Sequence, residues 1–224
     1  MYKIVEKRVL NKEVKLMRVE APLIAAKAKP GQFIILRVDD KAERIPLTVA
    51  DTDRERGLVT IIFQEVGLST IKLGELNEGD SILDFAGPLG KASELDGFKK
   101  VCVIGGGLGC AIAWPQAKYL FENGANVDVI AGFRTRDLVI IEDEMRRCSN
   151  RLFMMTDDGT YGEKGFVTNK LNELLSGGEK YDAIIAIGPL VMMKAVADAT
   201  RPYGIKTIVS MNTIMVDGTG MCGG

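Results

Sequence analysis

The sequence predicts an antiparallel β-barrel followed by a doubly wound α/β domain with a parallel sheet. Before residue 97, short segments rich in valine, isoleucine and phenylalanine are punctuated by turn residues, which is typical of an antiparallel barrel or sandwich. After Gly97, apolar strands alternate with helical stretches. Strands joined by helical crossovers form a parallel sheet covered on both faces. We therefore expect a barrel domain over residues 1–97, an α/β domain over 98–210 and a closing segment over 211–224.

The first half contains six predicted strands and one predicted helix. Turn sequences such as Pro30-Gly31 and Gly87-Pro88 separate several of them. The strands are Tyr2–Leu10, Val14–Glu20, Phe33–Val38, Ile45–Ala50, Leu58–Phe63 and Ser81–Ala86, and the helix is Ser69–Leu76.

The second half alternates strictly between strand and helix. Predicted strands are Val101–Ile104, Val127–Ala131, Leu152–Met155, Tyr181–Ile187 and Ile205–Val209. A helix ends at Asn123-Gly124, and further helices cover Asp137–Arg147, Val167–Leu175 and Leu190–Thr200. Pro115 lies inside the first helical stretch and indicates a late start or a kink.

The composition excludes several kinds of chemistry. The 224 residues include no histidine, which removes catalytic triads, imidazole proton shuttles and histidine zinc sites. The net charge of −1 argues against nucleic acid or a membrane surface as a partner. Four cysteines are too few for a disulfide framework, and we find neither a signal peptide nor an apolar run of membrane-spanning length. We expect a cytoplasmic protein with reduced thiols.

A glycine run follows the first strand of the second half: Gly105-Gly106-Gly107-Leu108-Gly109. Glycines between a strand and a helix let the backbone approach a pyrophosphate. The strict dinucleotide fingerprint fails, because Cys110 stands at its third glycine and no acidic residue follows the strand Val127–Ala131. The run predicts an atypical nucleotide loop, or a tight turn without a ligand.

Two further motifs lie in the first half. In Arg44-Ile45-Pro46-Leu47-Thr48, an arginine suited to a phosphate precedes a hydroxyl suited to a ring nitrogen. In Val66-Gly67-Leu68-Ser69-Thr70, small residues and two hydroxyls begin a predicted helix, which favours an anion. Each motif taken alone is equally consistent with a surface charge or an ordinary N-cap.

These motifs, in this order and followed by Ile187-Gly188-Pro189-Leu190-Val191-Met192-Met193, resemble the ferredoxin–NADP reductase superfamily. The closer resemblance is to the branch that holds the dihydroorotate dehydrogenase electron-transfer subunit and the small subunit of NADH-dependent reduced ferredoxin:NADP oxidoreductase, also known as sulfide dehydrogenase. In that superfamily a flavin-binding barrel precedes a pyridine-nucleotide domain. The resemblance extends from Pro30 to Gly224.

The resemblance implies an FAD site in the barrel. Thr48 is the catalytic candidate beside flavin N5, and Leu47 replaces an aromatic residue that stacks on the flavin in many members. The family's phosphate-binding arginine corresponds to Ile45, one place after Arg44. The implied FAD contacts are Arg44, Pro46, Leu47, Thr48, Phe63, Gln64, Gly67, Ser69 and Thr70, with Phe63 and Gln64 acting through their backbone.

It also implies an NAD(P) site in the α/β domain. Ile187 stands where many members have a cysteine. Arg134 and Arg136 lack an acidic partner for a 2′-hydroxyl and would allow NADP(H), but the resemblance favours NAD(H). A solvated pair of arginines is the alternative. The implied contacts are Gly105, Gly106, Gly107, Gly109, Arg134, Asp157, Gly188, Pro189 and Met192.

The closing segment resembles the start of a 2Fe–2S motif. Asp217 stands where the dihydroorotate branch has its first cysteine, and Cys222 stands at the second. The aspartate favours the ferredoxin:NADP oxidoreductase type, and a carboxylate ligand alters the cluster's potential. An Asp-Gly turn is the alternative interpretation. The remaining two cysteines of the motif would lie beyond Gly224, so we expect this chain as given not to hold the cluster.

The implied function is that of an FAD-dependent NAD(P)H oxidoreductase subunit. It passes a hydride between NAD(P)H and FAD, and then single electrons to a 2Fe–2S cluster and a partner. The expected partner is a larger, glutamate-synthase-like flavoprotein with iron–sulfur clusters. A dihydroorotate dehydrogenase is the alternative partner, and ferredoxin is a further candidate. A non-catalytic docking subunit is the competing hypothesis from another functional class.

Overall fold

The computed structural model describes residues 1–211 of the chain as two compact units. The barrel unit covers Met1–Ser93 and the α/β unit covers Glu94–Ser210. Among the residues that the structure describes, no helix is both long enough and apolar enough to cross a membrane.

The barrel unit is an antiparallel sheet of seven strands with two helices. The strands are β1 (Tyr2–Val9), β2 (Val14–Glu20), β3 (Phe33–Arg37), β4 (Ile45–Asp53), β5 (Leu58–Gln64), β6 (Ser81–Ile82) and β7 (Asp84–Leu89), and the helices are α1 (Pro22–Ala25) and α2 (Leu68–Glu75). The strand order is β6-β1-β2-β5-β4-β3-β7, and all of its pairs are antiparallel. The predicted antiparallel barrel is confirmed.

Near-closure of this sheet follows from its two edges. The edge strands β6 and β7 are separated by Leu83 alone, and the Leu83 N–H donates to the carbonyl of Val38 (3.1 Å). Inside, one face of each strand forms the core, with Ile34, Ile61 and Phe85 fully or almost fully buried.

The α/β unit is a six-stranded, all-parallel sheet with helices. Its strands are β8 (Lys100–Gly106), β9 (Asn126–Phe133), β10 (Arg151–Thr156), β11 (Glu163–Lys164), β12 (Ala183–Ile187) and β13 (Lys206–Val209), and its α-helices are α3 (Gly109–Glu122), α4 (Glu142–Arg147), α5 (Val167–Ser176) and α6 (Leu190–Thr200). The strand order is β11-β10-β9-β8-β12-β13. The chain thus winds outward from β8 in both directions, which confirms the doubly wound prediction.

A buried carboxylate ties together the amino-terminal ends of these strands. Asp128 on β9 is fully buried, and Arg151 on β10 donates to both of its oxygens, with Nε at 2.8 Å. The Tyr181 hydroxyl also donates to it (2.7 Å), and burial, together with this bond, raises the Tyr181 pKa. Lys100 and Arg151 both pair with Glu179, which lowers the Glu179 pKa. Charged groups that are buried need such partners.

Two helix predictions are wrong in detail. The predicted helix Asp137–Arg147 is divided into a 3-10 turn at Arg136–Leu138 and the separate helix α4. Ile141 adopts a left-handed conformation (φ 47°) that breaks the helix before Glu142. Pro115 does not mark a late start, because α3 begins at Gly109 and continues through it.

Candidate functional site

The turn between β5 and α2 is closed by a threonine hydroxyl. Thr70 Oγ1 accepts hydrogen bonds from the N–H groups of Val66 (3.0 Å) and Gly67 (3.1 Å), and it donates to the carbonyl of Gly67 (3.0 Å). One donor and two lone pairs are all that a hydroxyl offers. Thr70 is therefore fully engaged inside the turn and gives the turn its shape, whereas Ser69 makes only a 3.5 Å contact with Glu43.

Gly67 leaves open space at the beginning of α2. A Cβ placed at Gly67 would meet no atom within 4 Å, although the residue has an extended conformation that any side chain adopts. The first N–H groups of a helix have no acceptor within the helix, and the helix dipole favours an anion there. Gly67 therefore leaves the first N–H groups of α2 open to an anion.

Arg44 lies just before β4 and shares a carboxylate with another arginine. Arg37 Nε and Nη2 both lie 2.7 Å from Asp84 Oδ2, and Arg44 Nη2 lies 3.5 Å from the same atom. The side chain of Arg44 is 50% exposed and can turn toward a ligand. Sequence analysis missed Arg37 and Asp84, because nothing in the local sequence indicates that β3 and β7 pair there.

The motif on β4 alternates between two environments. Ile45 and Leu47 are partly buried and pack against the barrel core, whereas Pro46 is exposed and Thr48 is half-buried. Thr48 pairs with Phe33 on β3. Pro46 and Thr48 therefore share the face opposite to Leu47, because successive side chains on a strand alternate.

Phe63 and Gln64 lie where β4 and β5 separate. The paired residues of these strands run from Asp53↔Leu58 to Val49↔Ile61, so Phe63 and Gln64 lie beyond the last pair described. Phe63 is 1% exposed and its side chain belongs to the core, while Gln64 Nε2 donates to Glu13 Oε2 (2.7 Å). Only the backbone of Phe63 is thus available at this edge, as the sequence-based expectation of backbone contacts requires.

In the α/β unit, three elements meet at a junction too close for side chains. Gly105 pairs with Ile187 across β8 and β12, the two strands between which the winding reverses. A Cβ at Gly109 would overlap the Ile187 carbonyl, whose carbon would lie only 2.7 Å away. A Cβ at Gly188 would lie 3.1 Å from the backbone of Gly106. The glycines bring the beginning of α3 against the carboxyl ends of two parallel strands, the position at which such sheets bind ligands.

The other residues of this junction have distinct roles. Gly107 has a positive φ (55°) and no atom within 4 Å of a Cβ position, so it supplies the turn and open space. Pro189 is exposed at the beginning of α6. Met192 covers Gly106 and Gly188 with its thioether, and Met193 is buried in the core. Cys110 is fully buried, which raises its pKa to about 12.

Arg134 and Asp157 are exposed at the ends of β9 and β10. The Asp157 N–H donates to Phe133 (3.0 Å) and the Asp158 N–H to Arg134 (3.4 Å), so the two strand ends are joined by backbone bonds. The Thr160 hydroxyl accepts a hydrogen bond from the Arg136 N–H (3.0 Å) and donates one to the Asp158 carboxylate (2.7 Å). The Thr160 N–H and this hydroxyl both donate to Asp158 and so lower the Asp158 pKa. No sequence motif indicated Thr160.

Of the predicted residues, the structure brings Gly106, Gly188 and Met192 into direct contact, with Gly105 and Gly109 beside them at Ile187. Asp217 and Cys222 lie outside the described residues. Within residues 1–211, no group of three or more cysteine, aspartate or glutamate side chains has the arrangement of a metal site.

Comparison with known structures identifies the class of protein. The structure from the study of flavin-based electron bifurcation by NADH-dependent reduced ferredoxin-NADP oxidoreductase matches with a TM-score of 0.91 and 42% identity, over 100% of this chain and 80% of that one. The ferredoxin reductase of carbazole 1,9a-dioxygenase has the same fold (TM-score 0.76, 19% identity, 93% of this chain and 67% of that one). The chain therefore has the fold of the ferredoxin reductase-like oxidoreductase subunits.

Sequence relatives narrow this class to a family. The dihydroorotate dehydrogenase B (NAD(+)) electron transfer subunit homolog of Thermotoga maritima is 44% identical over 220 residues, covering 98% of this chain and 77% of the relative. An uncharacterized protein from the adh 3′ region of Clostridium beijerinckii is 49% identical over 231 residues, 100% of this chain and 78% of the relative. No family model matches the chain. The chain belongs to the family of dihydroorotate dehydrogenase B-like electron transfer subunits.

Proposed function

We propose that this chain oxidises NADH with a bound FAD and passes the electrons onward one at a time to a 2Fe–2S cluster and a partner subunit. Residues 1–97 form the FAD domain and residues 98–210 the NAD(H) domain. The flavin, when bound, supplies the chemistry that accepts a hydride and releases single electrons. No protein general base is needed for hydride transfer, which agrees with a chain without histidine.

The barrel unit holds FAD through the turn at the beginning of α2 and through β4. Gly67 and Ser69 receive the diphosphate, while Thr70 keeps the turn in shape. Arg44 neutralises phosphate charge by leaving its 3.5 Å contact with Asp84, which keeps Arg37 as its partner. Pro46, Leu47, Thr48, Phe63 and Gln64 border the flavin. The Thr48 hydroxyl would lie near flavin N5 and orient the ring.

The α/β unit holds NADH at the glycine junction. Gly105, Gly106, Gly107 and Gly109 receive its diphosphate, and Gly188, Pro189 and Met192 border the nicotinamide. Arg134 and Asp157, exposed at neighbouring strand ends, contact the adenosine. The observation that carries the proposal is this junction, in which α3, β8 and β12 approach more closely than any side chain permits.

The partner proposed is the large subunit of a ferredoxin:NADP oxidoreductase-type complex. Asp217 supports this partner, because it stands where the dihydroorotate branch has its first cysteine. Asp217 and Cys222 are the proposed cluster ligands on this chain. Co-purification with a dihydroorotate dehydrogenase instead of a large flavoprotein would contradict this assignment.

The test is reconstitution with FAD followed by anaerobic addition of NADH or NADPH. We expect one FAD bound per chain. NADH should then abolish the flavin absorbance at about 450 nm, and NADPH should do so more slowly. A colourless protein that takes up no FAD would contradict the proposal. Bound FAD that neither nucleotide reduces would instead favour the docking hypothesis.

A further inference from the structure

The side chain of Glu65, which belongs to none of the sequence motifs, supports the turn that precedes α2. Glu65 lies between β5 and this turn, and its side chain runs back along α2 instead of into solvent. A Cβ on Gly74 would overlap Glu65 Oε1, with Glu65 Cδ at 2.8 Å. Gly74 does not have a positive φ, so this glycine is required for space and not for its backbone conformation.

A lysine from β2 fixes the same carboxylate. The residue Lys15 is only 8% exposed, and its Nζ lies 3.2 Å from Glu65 Oε2 and donates to the Lys12 carbonyl (3.2 Å). A lysine is rarely buried unless it is paired. The Glu65 N–H in turn donates to the Glu13 carbonyl (2.9 Å), so both the backbone and the side chain of Glu65 are fastened to the β1–β2 hairpin.

The far end of α2 is fastened to the same hairpin. Lys7 Nζ donates to the Gly74 carbonyl (2.6 Å), one of the last carbonyls of the helix, where a cation also complements the helix dipole. The Lys7 N–H donates to Glu78 (3.0 Å). Lys7 on β1 therefore holds the end of α2, and Lys15 on β2 holds Glu65, the residue before the Val66–Thr70 turn.

We propose that Glu65, held by Lys15 and seated on Gly74, is a positioning residue for the diphosphate of FAD. This inference rests on the proposed function. Glu65 does not contact the ligand in this account. It fixes the direction in which the first residues of α2, Leu68 to Thr70, present their N–H groups, and binding groups act well only when a surrounding shell holds them. Thr70 sets the shape of the turn, whereas Glu65 sets its orientation.

Two variants test this with different effects on folding. Glu65→Gln removes the charge that pairs with Lys15, and Gly74→Ala displaces the carboxylate while adding a residue with a higher helix propensity. We expect each to raise the Kd for FAD about tenfold, the equivalent of losing one charge-assisted hydrogen bond. Glu6→Gln is the matched control, because it breaks the 2.8 Å Arg18–Glu6 pair of the same unit away from the turn.

The readout that distinguishes positioning from stability is the phosphorus NMR spectrum of the FAD-saturated protein. We expect both diphosphate resonances to move toward those of free FAD in Glu65→Gln and Gly74→Ala. The thermal midpoint of apo Gly74→Ala should lie within about 3 °C of the wild type, because the gain in helix propensity offsets the displaced ion pair. Wild-type Kd values and wild-type resonances in both variants would overturn the inference. A parallel loss of apo stability and affinity, with unmoved resonances, would also overturn it. Failure of the wild type to bind FAD would instead refute the proposed function.

Discussion

Replacing Gly67 by alanine tests the FAD site at the point where the structure is most open. The new methyl group meets no protein atom within 4 Å, so the apoprotein accommodates it without overlap. Alanine is a poorer N-cap than glycine by about 0.5–1 kcal/mol. The reduced freedom of the unfolded chain offsets this by about 0.4–1 kcal/mol. The two terms nearly cancel, and we expect a thermal midpoint within about 3 °C of the wild type.

The same methyl group occupies the space assigned to the diphosphate. Forcing one extra methyl into a filled site costs about 1–3 kcal/mol, which corresponds to about a 5- to 150-fold increase in the Kd for FAD. Apoprotein melting and fluorescence titration with FAD measure the two quantities. The Kd for NADH serves as the internal control, because its proposed site lies in the α/β unit. Unchanged FAD affinity in Gly67→Ala would refute the assignment of this turn.

Three further perturbations concern the α/β unit. Gly109→Ala forces its Cβ against the Ile187 carbonyl, and we expect a loss of about 1–3 kcal/mol in urea unfolding, whereas wild-type stability would contradict the close junction. Asp128→Asn leaves Arg151 and Tyr181 without their buried carboxylate. We expect calorimetry to show a loss of about 2 kcal/mol in the free energy of unfolding, less than for a fully buried pair because the Arg151 side chain is 42% exposed. An unshifted thermal midpoint would argue against the network. Backbone N–H groups of Lys100 and Lys99 lower the Asp182 pKa. The stabilisation that ionised Asp182 gives the fold is therefore present above the ordinary aspartate pKa of about 3.9 and is lost as the pH falls through the lower pKa of the folded state. Acid titration of Asp182→Asn should show a shallower loss of stability than the wild type, and identical curves would contradict this.

Most strands and helices could be predicted from the sequence because each contains a local run of apolar residues bounded by turn residues. Strands such as Leu58–Gln64 and Ala183–Ile187 have the apolar composition that burial requires, and a glycine run after a strand indicates a turn. The divided helix was not readable. The stretch before Glu142 continues a helical pattern, and a left-handed conformation at a β-branched residue such as Ile141 has no local sequence signal.

The supporting contacts of the site were unreadable for a different reason. Asp128 finds Tyr181 at a separation of 53 residues, and Arg37 finds Asp84 at 47. From the sequence, Gly74 is only a residue of low helix propensity, and the structure is needed to show that the Glu65 carboxylate packs against it. Sequence periodicity reports which face of an element is buried but not which charged group of a distant element meets it. The motifs therefore indicated the surfaces of the candidate site, whereas their supports required the structure.

The most direct test of the central claim is an anaerobic titration of the FAD-loaded chain with NADH, followed by visible absorbance. We expect one equivalent of NADH to reduce one equivalent of bound flavin, with Gly67→Ala needing more added FAD to reach the same endpoint. A wild-type chain that binds both molecules yet leaves its flavin oxidised would contradict the account.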